Sequence, residues 1–179
     1  MQYQEVLKFW FEELTPEQWW LKDTDLDGRI RERFGAWVAA AAACELDHWR
    51  NAPQGRLAEI LLLDQFPRNI HRNTPQAFAS DSLALGLAQE AIAVGADAQL
   101  TVTERHFLYL PFMHSESARI HERAVRLFTQ LGLPVALDFE LQHQRIIERF
   151  GRYPHRNAIL GRQSTPNEIA FLEEPGSSF

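Results

Sequence analysis

Three short segments concentrate the side chains able to do chemistry, and each follows a residue that ends or kinks a helix. Arg68 and Arg72 follow Pro67, His114 and Glu116 follow Pro111, and Arg152, His155, Arg156 and Asn157 follow Gly151 around Pro154. Helix ends leave backbone groups unpaired, so side chains from sequence-distant loops can meet there. A guanidinium fork grips carboxylate or phosphate bidentately. The expected ligand-binding group is therefore Arg68, Arg72, Arg152, Arg156 and Asn157, converging on one solvent-reachable cavity for a small anion. His114, Glu116 and His155 form the expected catalytic group, with Glu116 orienting or protonating a histidine for acid-base work. The competing reading has these arginines bonded to carbonyls at helix ends or paired with buried Asp64 and Asp81. Ser115 has no nucleophile elbow or oxyanion signature around it and reads as a helix cap.

Two other patterns bear on metals. Asp23-Thr24-Asp25-Leu26-Asp27-Gly28 matches the first half of a calcium loop, but Phe34 stands where the bidentate Glu belongs. Glu45 with His48 and Glu140 with His143 have the Glu-x-x-His spacing of di-iron bundles, yet both histidines fall on apolar helical stripes. No metal ligand and no cofactor is assigned on this basis, and a carboxylate-histidine metalloenzyme stands as a second alternative.

The elements that must hold these groups read as helices only. Apolar residues recur at three- and four-residue steps, Gly and Pro lie between such segments, and no stretch alternates with period two. Helices are predicted over about 2–14, 25–50, 54–66, 81–95, 103–111, 115–131 and 135–150, with Thr165-Pro166-Asn167-Glu168 opening a short last one. Thr15-Pro16-Glu17-Gln18 reads as a second capping box, opening a short helix with Trp19 and Trp20. Phe34, Trp37, Phe128, Phe139, Ile146 and Phe150 are the expected core. The whole chain, 1–179, is expected to form a single all-α domain of antiparallel helical hairpins, packed as a bundle, compact array or α-solenoid.

Composition narrows the function classes. The net charge of -6 argues against nucleic-acid binding. Ala36 to Cys44 is the longest apolar run, half what a bilayer requires, so no membrane span is expected. With one cysteine, disulfide frameworks and Cys-rich zinc sites are excluded, and a cytoplasmic protein without a signal peptide is the natural reading. Sixteen of the eighteen basic residues are Arg, and residues 143 to 163 carry five of them against Glu148 alone, so the C-terminal third is locally cationic.

Asp64-Gln65-Phe66-Pro67-Arg68-Asn69, Ala77-Phe78-Ala79-Ser80-Asp81, Phe107 to Glu116 and Arg149 to Asn157 together resemble the bacterial family called domain of unknown function 924. The likeness extends from Val6-Leu7-Lys8-Phe9-Trp10-Phe11 to Gly161-Arg162-Gln163-Ser164-Thr165. It implies an all-α fold similar to tetratricopeptide-type α-α superhelices, and no established activity, substrate or cofactor. The clustering of Arg and His at helix ends favours a pocket for a small anionic molecule, with catalysis open, over a helical scaffold for a protein or peptide partner. The oligomeric state is not legible.

Overall fold

A computed structural model describes residues 1–178 of the chain. Among these residues the regular elements are all helical and no β-strand occurs. The chain divides into two compact units, Met1–Arg72 with Gln76–Pro111, and Asn73–Pro75 with the chain from Phe112 onward.

In the first unit, α1 (Tyr3–Lys8) continues as a π-helical turn over Phe9–Glu13, followed by α2 (Thr24–Ala42), α3 (Pro53–Asp64), α4 (Phe66–Ile70), α5 (Asp81–Ala93) and α6 (Val102–Met113), whose last two residues, Phe112 and Met113, belong to the second unit. Residues Leu57, Ala58, Ile60, Leu61, Leu62 and Leu63 of α3 are all fully buried, the pattern of a helix surrounded on every side, and α1, α2 and α5 pack on it. The wide turn after α1 lets two consecutive aromatics, Phe9 and Trp10, both point inward, where Phe9 meets Phe34 at 5.0 Å and Trp10 meets Phe66 at 5.2 Å.

Gly55, on the first turn of α3, is a glycine for lack of space. A Cβ there would stand 2.1 Å from the carbonyl oxygen of Trp49. Because that oxygen belongs to backbone, the clash cannot be relieved by a rotamer. Gly55→Ala is expected to destabilise by about 2–3 kcal/mol. Chemical denaturation measures this, and an unchanged midpoint would show that the 47–51 turn yields freely.

The second unit is built on α7 (Ala118–Leu131) and α8 (Pro134–Phe150), which pack together across the two residues Gly132 and Leu133 and so run antiparallel. Gly132 and Gly151 end these helices in the left-handed region, φ 75° and 70°, where a Cβ would be strained. Ile146, Ile147, Tyr153 and Phe171 form its core with Phe150 beside them. Thr165 and Glu168 complete the reciprocal capping box that opens α9 (Pro166–Leu172).

Several expectations are corrected. The helix expected over 25–50 stops at Ala42, because Cys44 turns to φ 59° and the chain re-enters a 3-10 turn at Asp47–Asn51. Cys44 and His48 are consequently exposed, and His48 does not lie on the apolar stripe expected for it. Phe139, expected in the core, is 49 % exposed. Pro67 starts the short helix α4, where its missing N–H is harmless, so residues 68–70 are helical and not loop. Residues 15–20 form turns, in which Thr15 N–H donates to Gln18 Oε1 at 2.9 Å. Ser117, not Ser115, occupies the N-cap position of α7.

Candidate functional site

The predicted arginines divide between the units. In the first, Arg72 donates through Nε and Nη2 to both oxygens of Asp27, each at 2.8 Å, and Asn69 adds a third bond to that carboxylate. Arg68 spans both oxygens of Asp81 at 2.9 and 3.0 Å and also donates to the Asp64 carbonyl at 2.6 Å. Asp27 is thereby drawn into a structural tie, while Asp23 caps α2 by accepting the N–H groups of Asp25 and Leu26. The calcium-like half-loop thus serves to start and anchor a helix.

In the second unit, Arg152 forks onto Glu168 at 2.7 and 2.8 Å and reaches the Gln163 carbonyl at 2.8 Å. It lines a cleft of about 410 Å³ together with Arg149, Phe150, Thr165, Asn167 and Glu168. The Arg152 fork holds the Glu168 carboxyl down at about 2. Arg149 is more open, with its guanidinium over the Phe150 ring at 4.7 Å and Glu174 at 3.9 Å.

Of the remaining predicted residues, Glu116, His155 and Arg156 meet Tyr153, which is fully buried, while His114 lies near His143. Glu116 accepts the Tyr153 N–H at 2.7 Å and the fork of Arg162 at 2.6 and 2.9 Å. Burial pushes the Glu116 carboxyl up, but the Arg162 and Tyr153 bonds outweigh it and leave the group below its ordinary value. Arg156, only 7 % exposed, lies over the Tyr153 ring at 4.6 Å, and the His155 ring stands 5.7 Å from it. Asn157 accepts from Arg162 and donates to Ser164, each at 3.0 Å.

On the far side of that tyrosine, two buried groups that sequence reasoning did not single out as a pair meet. His121 Nδ1 lies 2.7 Å from Glu140 Oε1, and its Nε2 lies 2.8 Å from the Ser115 carbonyl and 3.1 Å from the Tyr153 hydroxyl, which itself donates to the Met113 carbonyl at 2.5 Å. Both His121 and Glu140 are wholly buried. Burial raises the Glu140 carboxyl above its usual range, an effect the His121 contact only partly offsets. His143 turns instead to its own helix, bonding the Phe139 carbonyl at 2.7 Å. Burial holds its pKa down to about 3, and His114, His121 and His155 are near enough for their charges to add to the effect. Glu140 therefore pairs with a histidine 19 residues away and not with the one three residues on. Glu45 and His48 are both exposed, and among the described residues no group of three or more His, Cys, Asp or Glu is arranged to hold a metal ion. The available signal for His121 is its place at three-residue spacing from Ala124 on the buried face of α7 that also carries Leu127, Phe128 and Leu131.

An all-helical protein in which a histidine-rich, desolvated cluster binds the 151–157 loop to the end of α6 and to α7 is the class the geometry defines. The chain belongs to the family of bacterial proteins of unknown function DUF924, whose pattern it matches over residues 6–176. A protein of unknown function from Agrobacterium tumefaciens has the same fold, at 42 % identity over 96 % of both chains and a TM-score of 0.91. Among curated proteins no match is found. No helix among the described residues is long and apolar enough to cross a membrane.

Proposed function

We propose that the second unit binds a small carboxylate- or phosphate-bearing molecule at the cluster of His114, Glu116, His155, Arg156 and Asn157, with the histidines available for proton transfer. The observation that carries this reading is the gathering of His114, His121 and His155 close enough to His143 to help lower its proton affinity, after the burial that lowers it most. An anion placed among them reverses that repulsion, so binding and proton uptake reinforce each other. The fork arginines Arg68, Arg72 and Arg152 hold internal carboxylates and so serve as ties, which moves the weight of the proposal from guanidinium to imidazole. A cytoplasmic setting suits the single cysteine, Cys44, which is exposed.

Titration calorimetry with inorganic phosphate and with succinate, in buffers of different ionisation enthalpy, tests the reading. Binding accompanied by proton uptake beyond the anion's own, and weakened at least about tenfold in Arg156→Gln and His155→Gln, is the expected outcome. No heat with either anion at millimolar concentration, or equal binding by the variants, would remove it.

The scaffold alternative is favoured by a different observation. Val135 and Phe139 stand one turn apart on α8 at 70 % and 49 % exposure, a neighbouring apolar pair on the surface. Phe139→Glu would then abolish partner binding and leave anion binding intact.

A further inference from the structure

Hydrogen-bond parity at the buried His121–Glu140 pair fixes how many protons it holds. The Ser115 carbonyl can only accept, so the His121 Nε2 at 2.8 Å from it must carry hydrogen. The Tyr153 hydroxyl spends its hydrogen on the Met113 carbonyl at 2.5 Å and likewise presents only an acceptor to Nε2. At 2.7 Å, Nδ1 and Glu140 Oε1 need one more hydrogen between them. That proton sits either on Nδ1, giving imidazolium and carboxylate, or on Oε1, giving neutral imidazole and carboxylic acid. Without it, two lone pairs face each other across a contact with no exposure to water, and a carboxylate is left whose other oxygen, Oε2, is buried with no hydrogen-bond partner.

We infer that this single shared proton is a latch that holds the 151–163 segment onto α7 and α8, so that its loss releases the segment. The connection is direct. His121 on α7 and Glu140 on α8 reach the segment through Tyr153, whose backbone N–H is held in turn by Glu116. The titratable and charged groups gathered about the pair are His143 on α8, His114 and Glu116 between α6 and α7, and Tyr153, His155 and Arg156 on the segment itself. Of these, Glu116 is matched by Arg162, and His143 is neutral across the ordinary pH range, so neither replaces the missing proton. The sign follows from the raised Glu140 carboxyl: its protonated form is favoured by the fold, and the stability it contributes is present at low pH and lost as pH rises through the raised value. The latch opens on the alkaline side. This inference stands whether or not an anion binds, because no ligand enters it.

The test follows amide hydrogen-exchange protection of residues 152–163 and the nitrogen resonances of His121 from pH 5 to pH 10, in the full chain and in Glu140→Gln. In the wild type, protection falls at least about tenfold as pH rises, with the midpoint at which His121 loses its Nδ1 hydrogen bond. In Glu140→Gln the amide donates permanently to Nδ1, and protection becomes independent of pH. Two results would overturn the latch: an Nε2 that carries no hydrogen at pH 7, or a segment whose protection does not change with the His121 resonances. If Glu140→Gln does not fold, the wild-type midpoints decide alone, coincidence supporting the latch and separation ending it.

Discussion

Acidification from pH 7 is expected to cost the protein about 2 kcal/mol by pH 5 and about 3 kcal/mol by pH 4 through His143 alone. The imidazole is buried and bonded to the Phe139 carbonyl, and its pKa in the fold is about 3. An unfolded chain returns it to about 6.5. A base with a depressed folded value is stabilising above its unfolded value, and that stability is lost as pH falls toward the folded one. The unfolded chain takes up the proton that the native state refuses. Other groups leave different signatures: Glu168, held at about 2 mainly by Arg152, loses its contribution as pH falls from the ordinary carboxylate value toward 2, and the raised Glu140 acts in the opposite direction. The difference between wild type and a His143 variant over pH 7 to pH 5 therefore isolates His143. Urea denaturation at both pH values, on wild type and His143→Asn, measures it. Asparagine keeps an N–H for the Phe139 carbonyl but cannot be charged, so its midpoint should hardly move. An equal acid loss in both proteins would place the sensitivity elsewhere.

Arg50→Ala is the second substitution of large expected effect, with a loss of about 3–5 kcal/mol. Glu59 lies on α3 between Ala58 and Ile60 and is fully buried, and Arg50 meets its two oxygens at 2.7 and 2.6 Å from the turn before that helix. The fork raises the Arg50 guanidinium well above its ordinary value, chiefly through the bonds to Glu59, as expected for a cation facing a buried carboxylate. Removing Arg50 strands a charge in the middle of the leucine-rich helix. Removing both charges does not, so the double variant Arg50→Ala with Glu59→Leu should recover most of the loss. A single variant within about 1 kcal/mol of wild type, or a double variant no better than the single, would contradict the account.

The same distinction explains which parts of the candidate site were legible. That Arg152 and Asn157 matter to the 151–163 segment could be expected, because Gly151 and Pro154 announce a shaped loop and the polar residues cluster in it. Their partners could not. Arg152 finds Glu168, Glu116 finds Arg162, and Arg72 finds Asp27, at separations of 16, 46 and 45 residues. A fork suited to a ligand's carboxylate is equally suited to the protein's own, and residue type is silent on which is near.

By itself the sequence determined the helical class, most helix starts and stops, and the αL turns at Gly132 and Gly151. These depend on forces acting within a few residues: apolar period, caps, a missing N–H at proline, a missing Cβ at glycine. It also placed Phe34, Phe128 and Ile146 in the core. Only the tertiary structure decided that Cys44 would break the second helix without a glycine, that Phe139 would face outward, and that Glu140 would choose His121 over His143. A stripe of period 3.6 says which face of a helix is apolar, but the loss of water that makes a proton hard to add or remove is set by neighbours from other helices. Charge state and partner choice arise from that shared burial, which no local stretch of residues contains.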